Sequence, residues 1–156
     1  MSKISHSDVL AVKNVISLYC EALDSKDFML LEKVFVEDVS ADYPFNSDLQ
    51  GVDAVAKAIR NRLGPVRTHH NLTTQRILFD DSGKTAHAVT YFQGVHFGQG
   101  PHEGKQLCAY GKYFDDLVLQ QGDHEGVPGA SGIWRIQKRK VAFTQRIGDE
   151  KIMSEH

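Results

Sequence analysis

The chain has 156 residues, of which 41% are hydrophobic and 24% charged, and its formal net charge is −2 with histidine neutral. That length suits one domain, residues 1–156, with a core that needs no staples, and the charge balance speaks against nucleic acid or an anionic membrane surface as partner. No apolar run approaches membrane-spanning length and the N-terminus lacks a signal-peptide core, which makes a soluble cytoplasmic protein the expectation.

A first helix runs to Leu23, capped by Ser7 or Asp8. Val9, Val12, Ile16, Tyr19 and Leu23 recur at three- and four-residue spacing and draw one apolar stripe. Asp24 lies about 140° round an ideal helix from Tyr19, so the two share a site only if the helix ends near Asp24. Asp24-Ser25-Lys26-Asp27 supplies the break, because short polar side chains compete for backbone hydrogen bonds. A second short helix, Phe28 to Phe35, buries Leu30, Leu31, Val34 and Phe35. Val39 to Phe45 reads as a strand that Pro44 places at an edge or an end. A third helix opens at Gly51-Val52-Asp53, buries Val52, Val55, Ala56 and Ile59, and stops at Gly64-Pro65.

Long strands follow. Val66–Phe79 and Thr85–Phe97 form a hairpin around Asp80-Asp81-Ser82-Gly83; Gln106–Leu119 and Gly132–Ile147 are two more. Gln120–Ser131, rich in glycine and polar residues, reads as a mobile loop. The architecture is therefore α+β: N-terminal helices packed on one face of a curved antiparallel or mixed sheet, forming a cone-shaped barrel with an internal pocket at its mouth.

The candidate chemistry sits in two places. Tyr19, Asp24 and Tyr43 place a phenol, a carboxylate and a second phenol in an otherwise apolar segment, and Thr68-His69-His70 follows on a strand. A histidine held by a buried carboxylate is a suitable general base beside a carbonyl, and a phenol can hold the developing enolate. Asp24 has a second reading, as cap of the second helix, and Tyr19 as a core residue. His69 and His70, adjacent on a strand, point to opposite faces, which speaks against joint metal ligation. His87, His96, His102 and His124 read as surface or loop residues. Arg135, Lys138, Arg139 and Lys140 alternate around Ile136 as the solvated face of an edge strand, and Trp134 reads as core. Cys20 and Cys108 share no metal-like spacing and read as free thiols, although counting alone leaves one disulfide open.

The run Leu23-Asp24-Ser25-Lys26-Asp27-Phe28-Met29-Leu30-Leu31-Glu32-Lys33-Val34-Phe35 resembles the scytalone dehydratase family, as do Ala41-Asp42-Tyr43 and Arg67-Thr68-His69-His70. The helix and strand order resembles the wider SnoaL-like group of the nuclear-transport-factor-2-like superfamily. The resemblance implies a carboxylate–histidine pair at Asp24 and His70, with Tyr43 as one of the family's tyrosines. Leu23 stands where that family has its other tyrosine, and Lys112 roughly where it has a second histidine. Those departures argue against the same substrate. The Tyr19-x4-Asp24 spacing resembles that of bile-acid dehydratases, which makes Tyr19 a substitute phenol. The expected catalytic set is thus Asp24, His70, Tyr43, Tyr19 and Lys112, with no cofactor and no metal. The implied function is a dehydratase, cyclase or isomerase acting on a small hydrophobic carbonyl compound of polyketide or terpenoid type. The expected assembly is a homodimer or homotrimer through the outer sheet face. The competing reading is a non-catalytic module of the same fold that binds a hydrophobic ligand or a protein.

Overall fold

The computed structural model of the chain describes residues 4–154. Helix α1 (His6–Ser25) begins two or three residues ahead of the expected caps: Ser5 is the cap, Asp8 N–H donates to its Oγ at 3.1 Å, and the Asp8 carboxylate accepts from the Ser5 N–H at 3.3 Å. It runs two residues past Leu23 and is ended by Lys26 in the left-handed conformation, with φ 62°. Asp24 therefore stands in the last turn of α1. The expected second helix is only a 3₁₀ turn, Phe28–Lys33, because Phe35 and Val36 have already joined strand β1 (Phe35–Tyr43). Pro44 and Phe45 are not strand but the two-residue turn into β2 (Asn46–Gln50), a polar edge strand with no alternating apolar signal. Helix α2 (Val52–Leu63) matches its expectation and buries Val52, Val55, Ile59 and Leu63.

Four long strands complete the chain: β3 (Arg67–Phe79), β4 (Thr85–Phe97), β5 (Gln106–Gln120) and β6 (Ile133–Gly148). They form one six-stranded sheet in the order β2-β1-β6-β5-β4-β3, in which β1 and β6 run parallel and every other pair antiparallel. The sheet is mixed and stays open at its β2 and β3 edges, and the helices cover its concave face. Helices and sheet together enclose a cone, the α+β architecture expected from the sequence.

Two features of β6 control which side chains face inward. Leu117 pairs with Ile136 but Asp116 with Lys138, which leaves Gln137 as an extra residue; Gly111 pairs with Phe143 but Tyr110 with Gln145, which leaves Thr144 as another. Each is a bulge, and each reverses the in–out alternation of the strand. The segment between β5 and β6 is not the free loop that its composition suggests. Val127 is 3% exposed, and Ser131 binds Asp8 through its N–H at 2.8 Å and its hydroxyl at 2.7 Å. Trp134 Nε1 donates to the same carboxylate at 3.1 Å, which fastens the segment and β6 to the start of α1. Among the described residues, no helix is long and apolar enough to cross a membrane.

Candidate active site

The left-handed Lys26 stops α1 so that the Asp24 carboxylate reaches across to β3 instead of capping the next turn, whose cap residue is Asp27. Asp24 accepts from Thr68 Oγ1 at 2.8 Å and from the His70 backbone N–H at 2.8 Å, and it holds His70 Nδ1 at 2.7 Å. Lys26 Nζ donates to Thr68 Oγ1 at 3.2 Å, closing the chain of contacts. Burial works against the Asp24 charge, but the His70 ring, the His70 backbone N–H and the Thr68 hydroxyl outweigh it and hold the carboxyl below its ordinary value. An ionised carboxylate only accepts, so Nδ1 donates to it and Nε2 is the ring nitrogen left to take a proton. The His70 side chain is 6% exposed.

His70 faces an apolar cavity of about 50 Å³ lined by Tyr19, Leu23, Tyr43, Phe45, Ile59, Arg62, Leu63, Phe92, His96, Ala109, Tyr113, Val141, Phe143 and Arg146. Tyr19 from α1 and Tyr43 from β1 meet there, hydroxyl to hydroxyl at 2.8 Å. Burial raises both phenols above their ordinary range, so both are neutral donors at physiological pH. Gly94 lies opposite His70 on β4, and a Cβ there would stand 3.2 Å from both Cδ2 and Nε2 of the imidazole. The close approach of the ring to the sheet depends on that glycine.

The structure thus brings Asp24, His70, Tyr19 and Tyr43 together. Lys112, whose facing the sequence leaves open, does not join them. It alternates with the inward Tyr113 on β5, and its ammonium lies 4.7 Å from the Tyr91 ring on the outer face. The second histidine in the cavity is His96, which the sequence reading had on the surface. It is 8% exposed, its Nδ1 donates to the Leu107 carbonyl at 3.1 Å, and its ring centroid lies 6.4 Å from that of His70. Burial chiefly lowers its pKa from 6.5 to about 4, the Leu107 bond acting the other way. His102 is also buried, and His124 accepts from the Trp134 N–H at 3.2 Å. His87, which pairs with Asp116 at 2.7 Å, is on the surface as expected.

The larger correction is Arg139. It is fully buried, paired with Asp115 at 2.6 and 2.7 Å, and its guanidinium carbon lies 4.2 Å from the ring centroids of both Tyr19 and Tyr113. The bulge at Gln137 turns it inward, whereas strict alternation from Ile136 would put it in solvent. A cation beneath the Tyr19–Tyr43 pair favours negative charge arising at those hydroxyls. Cys20 and Cys108 are both free, and burial pushes the Cys20 thiol up to about 12. Among the described residues, no three His, Cys, Asp or Glu side chains are grouped to hold a metal ion.

The sequence matches the SnoaL-like domain over residues 5–140. No functionally curated protein matches it significantly. Several solved structures share the fold. Hexachlorocyclohexane dehydrochlorinase (LinA) type 2 superposes with a TM-score of 0.74 at 13% identity, over 90% of this chain and 87% of that one. A protein of Novosphingobium aromaticivorans DSM 12444, provisionally assigned as a scytalone dehydratase, gives 0.72 at 24% identity over 91% and 87%. A second Novosphingobium aromaticivorans protein, provisionally assigned as an aromatic ring hydroxylase, gives 0.75 at 20% identity over 97% and 99%.

Proposed function

The chain belongs to the SnoaL-like domain family, and we propose that it is a cofactor-free lyase or isomerase acting by acid–base catalysis on a small carbonyl compound of polyketide or terpenoid type. The observation that carries this reading is the 2.7 Å bond between His70 and Asp24 beside the Tyr19–Tyr43 hydroxyl pair, in a cavity walled by Phe45, Phe92 and Phe143. His70 Nε2 takes a proton from the carbon next to the substrate carbonyl. The C–H electron pair moves into the enolate, and the carbonyl oxygen accepts a hydrogen bond from a tyrosine hydroxyl. Asp24 stabilises the imidazolium, and Arg139 stabilises the charge at the phenols. The imidazolium then returns its proton, either to a β-hydroxyl that leaves as water or to another carbon, which gives elimination or isomerisation. The cavity of about 50 Å³ holds only a few waters. A ring-sized substrate therefore enters by moving the half-buried Phe45 and Phe143.

Against a panel of β-hydroxy ketones, His70→Ala is expected to lower turnover by roughly 10²–10⁴-fold with the fold intact, and Tyr43→Phe by about 10²-fold. Asp24→Asn keeps the shape but removes the ionic support, so it also loses rate sharply. Full activity of His70→Ala on a substrate that the wild type turns over would overturn the His70-base mechanism, whereas no turnover by the wild type across the panel would leave the non-catalytic binding module as the reading. The same proposal includes a homodimer or homotrimer through the outer sheet face, where Tyr91, Phe97, Tyr110 and Ile147 are exposed.

A further inference from the structure

The cavity is charged on one side only. Its lining contains two guanidinium groups, Arg62 from α2 and Arg146 from β6, and no carboxylate. Arg146 faces inward because of the bulge at Thr144. Past the inward Phe143, strict alternation would aim Gln145 into the cavity and Arg146 out of it, but the extra residue pairs Arg146 with Ala109 on the concave face. Arg146 Nη1 holds Glu150 at 3.0 Å, yet the Glu150 side chain is 65% exposed, where an ion pair is weak. Arg146 Nε is buried with no hydrogen-bond partner. Arg62 lies over the Phe45 ring, 4.4 Å from its centroid, and makes no ion pair among the described residues. Burial and then the charge of Arg146 push Arg62 below its ordinary pKa, with Glu150 acting the other way. At their end of the cavity, two cations face one solvent-exposed carboxylate, which leaves an excess of positive charge there together with an unused donor. An excess of positive charge and an unused donor beside apolar walls suit an anionic group on the ligand.

We infer that the substrate carries a carboxylate, held by Arg62 and Arg146 at the rim while its carbonyl end lies against Tyr19, Tyr43 and His70. The Arg146 Nε donor and the planar guanidinium suit a carboxylate with two parallel oxygens, and one excess positive charge calls for a monoanion rather than a phosphate dianion. The substrate class is then a small cyclic keto acid. The orientation of the carbonyl rests on the function proposed above, whereas the anchoring does not.

Binding without turnover separates the two. Isothermal titration calorimetry on the full chain would compare benzoate, benzamide and phenyl phosphate against wild type, Arg62→Gln, Arg146→Gln, Arg146→Lys and His70→Ala. Benzoate is expected to bind about 10-fold more tightly than benzamide, to weaken as salt rises, and to lose that advantage in either glutamine variant. Arg146→Lys keeps the charge and is expected to keep part of the preference. His70→Ala is expected to leave the ratio unchanged, so failure of the catalytic reading would not disturb it. Equal affinity for benzoate and benzamide, no benzoate binding, or an unaltered ratio in natively folded glutamine variants would overturn the inference. A collapsed ratio in His70→Ala would move the anchor to His70, and tighter phenyl phosphate binding would replace the carboxylate with a phosphate; either result overturns it.

Discussion

At Asp24, a helix cap and a site carboxylate compete on equal terms in the sequence, and the backbone at Lys26 decides between them. The left-handed turn aims the carboxylate at Thr68 and His70, where three hydrogen bonds hold it. Tyr19, Tyr43 and His70 were legible through resemblance, from the Tyr19-x4-Asp24 spacing and the runs Ala41-Asp42-Tyr43 and Arg67-Thr68-His69-His70. His96 was not, since one histidine on an alternating strand gives no sign of the 6.4 Å approach to His70. Its burial has a measurable consequence. With a pKa lowered from 6.5 to about 4, the folded chain binds fewer protons at this site than the unfolded chain between those values. Stability therefore falls as pH drops from about 6.5 to 4, by on the order of 3 kcal/mol from this group. Urea midpoints across that window are expected to flatten in His96→Asn, and an unchanged slope would contradict the burial argument. Gly94 allows a second test. Alanine there must displace the His70 ring by a few tenths of an ångström from its present 3.2 Å clearance. We expect kcat/KM to fall about 3–10-fold with little change in melting temperature, because catalysis is more sensitive to placement than folding is.

At the level of elements, β6 is the strand whose pattern misleads. Counting alternate residues from Ile136 assigns Arg139 to solvent, and only the two-against-one pairing at Gln137 reveals that it points inward; the second, at Thr144, restores the original parity, so that Arg146 faces inward as well. A bulge carries no single-residue signature here, and so Arg139 was hidden. The β5–β6 pair formed by Asp115 and Arg139 has no exposed surface. Arg139→Met strands a buried carboxylate and is expected to cost about 3–5 kcal/mol in urea unfolding, whereas Asp115→Leu/Arg139→Met is expected to recover most of that loss. A double variant no more stable than the single one would show that the pair contributes more than mutual charge compensation. The helix at Phe28 failed for a different reason. Val34, Phe35 and Val36 favour extended structure and draw the chain into β1 before a second helical turn can close.

For the whole molecule, the order of helices then long strands was enough to read an α+β cone, because antiparallel hairpins and amphipathic helices leave few other ways to cover one sheet face. The polar edge strand β2 and the parallel β1–β6 pairing were not readable, since both are set by long-range contacts rather than local pattern. The outer face remains the unpartnered surface. Ile147 is 58% exposed and Tyr91 and Phe97 are each 41% exposed there. Multi-angle light scattering at micromolar concentration is expected to give a dimer or trimer mass, and Ile147→Glu to shift it toward the monomer. A monomer in the unmodified chain would remove the assembly from the account.

The central claim is that His70 removes a proton from carbon. Its most direct test is proton NMR of 2-tetralone in D₂O, following deuterium uptake beside the carbonyl, a step that needs no leaving group. The wild-type chain is expected to accelerate exchange over buffer, and His70→Ala to lower that enzyme-dependent rate by at least about 10²-fold. Exchange at equal rates in the two proteins, or none above buffer in either, would contradict it.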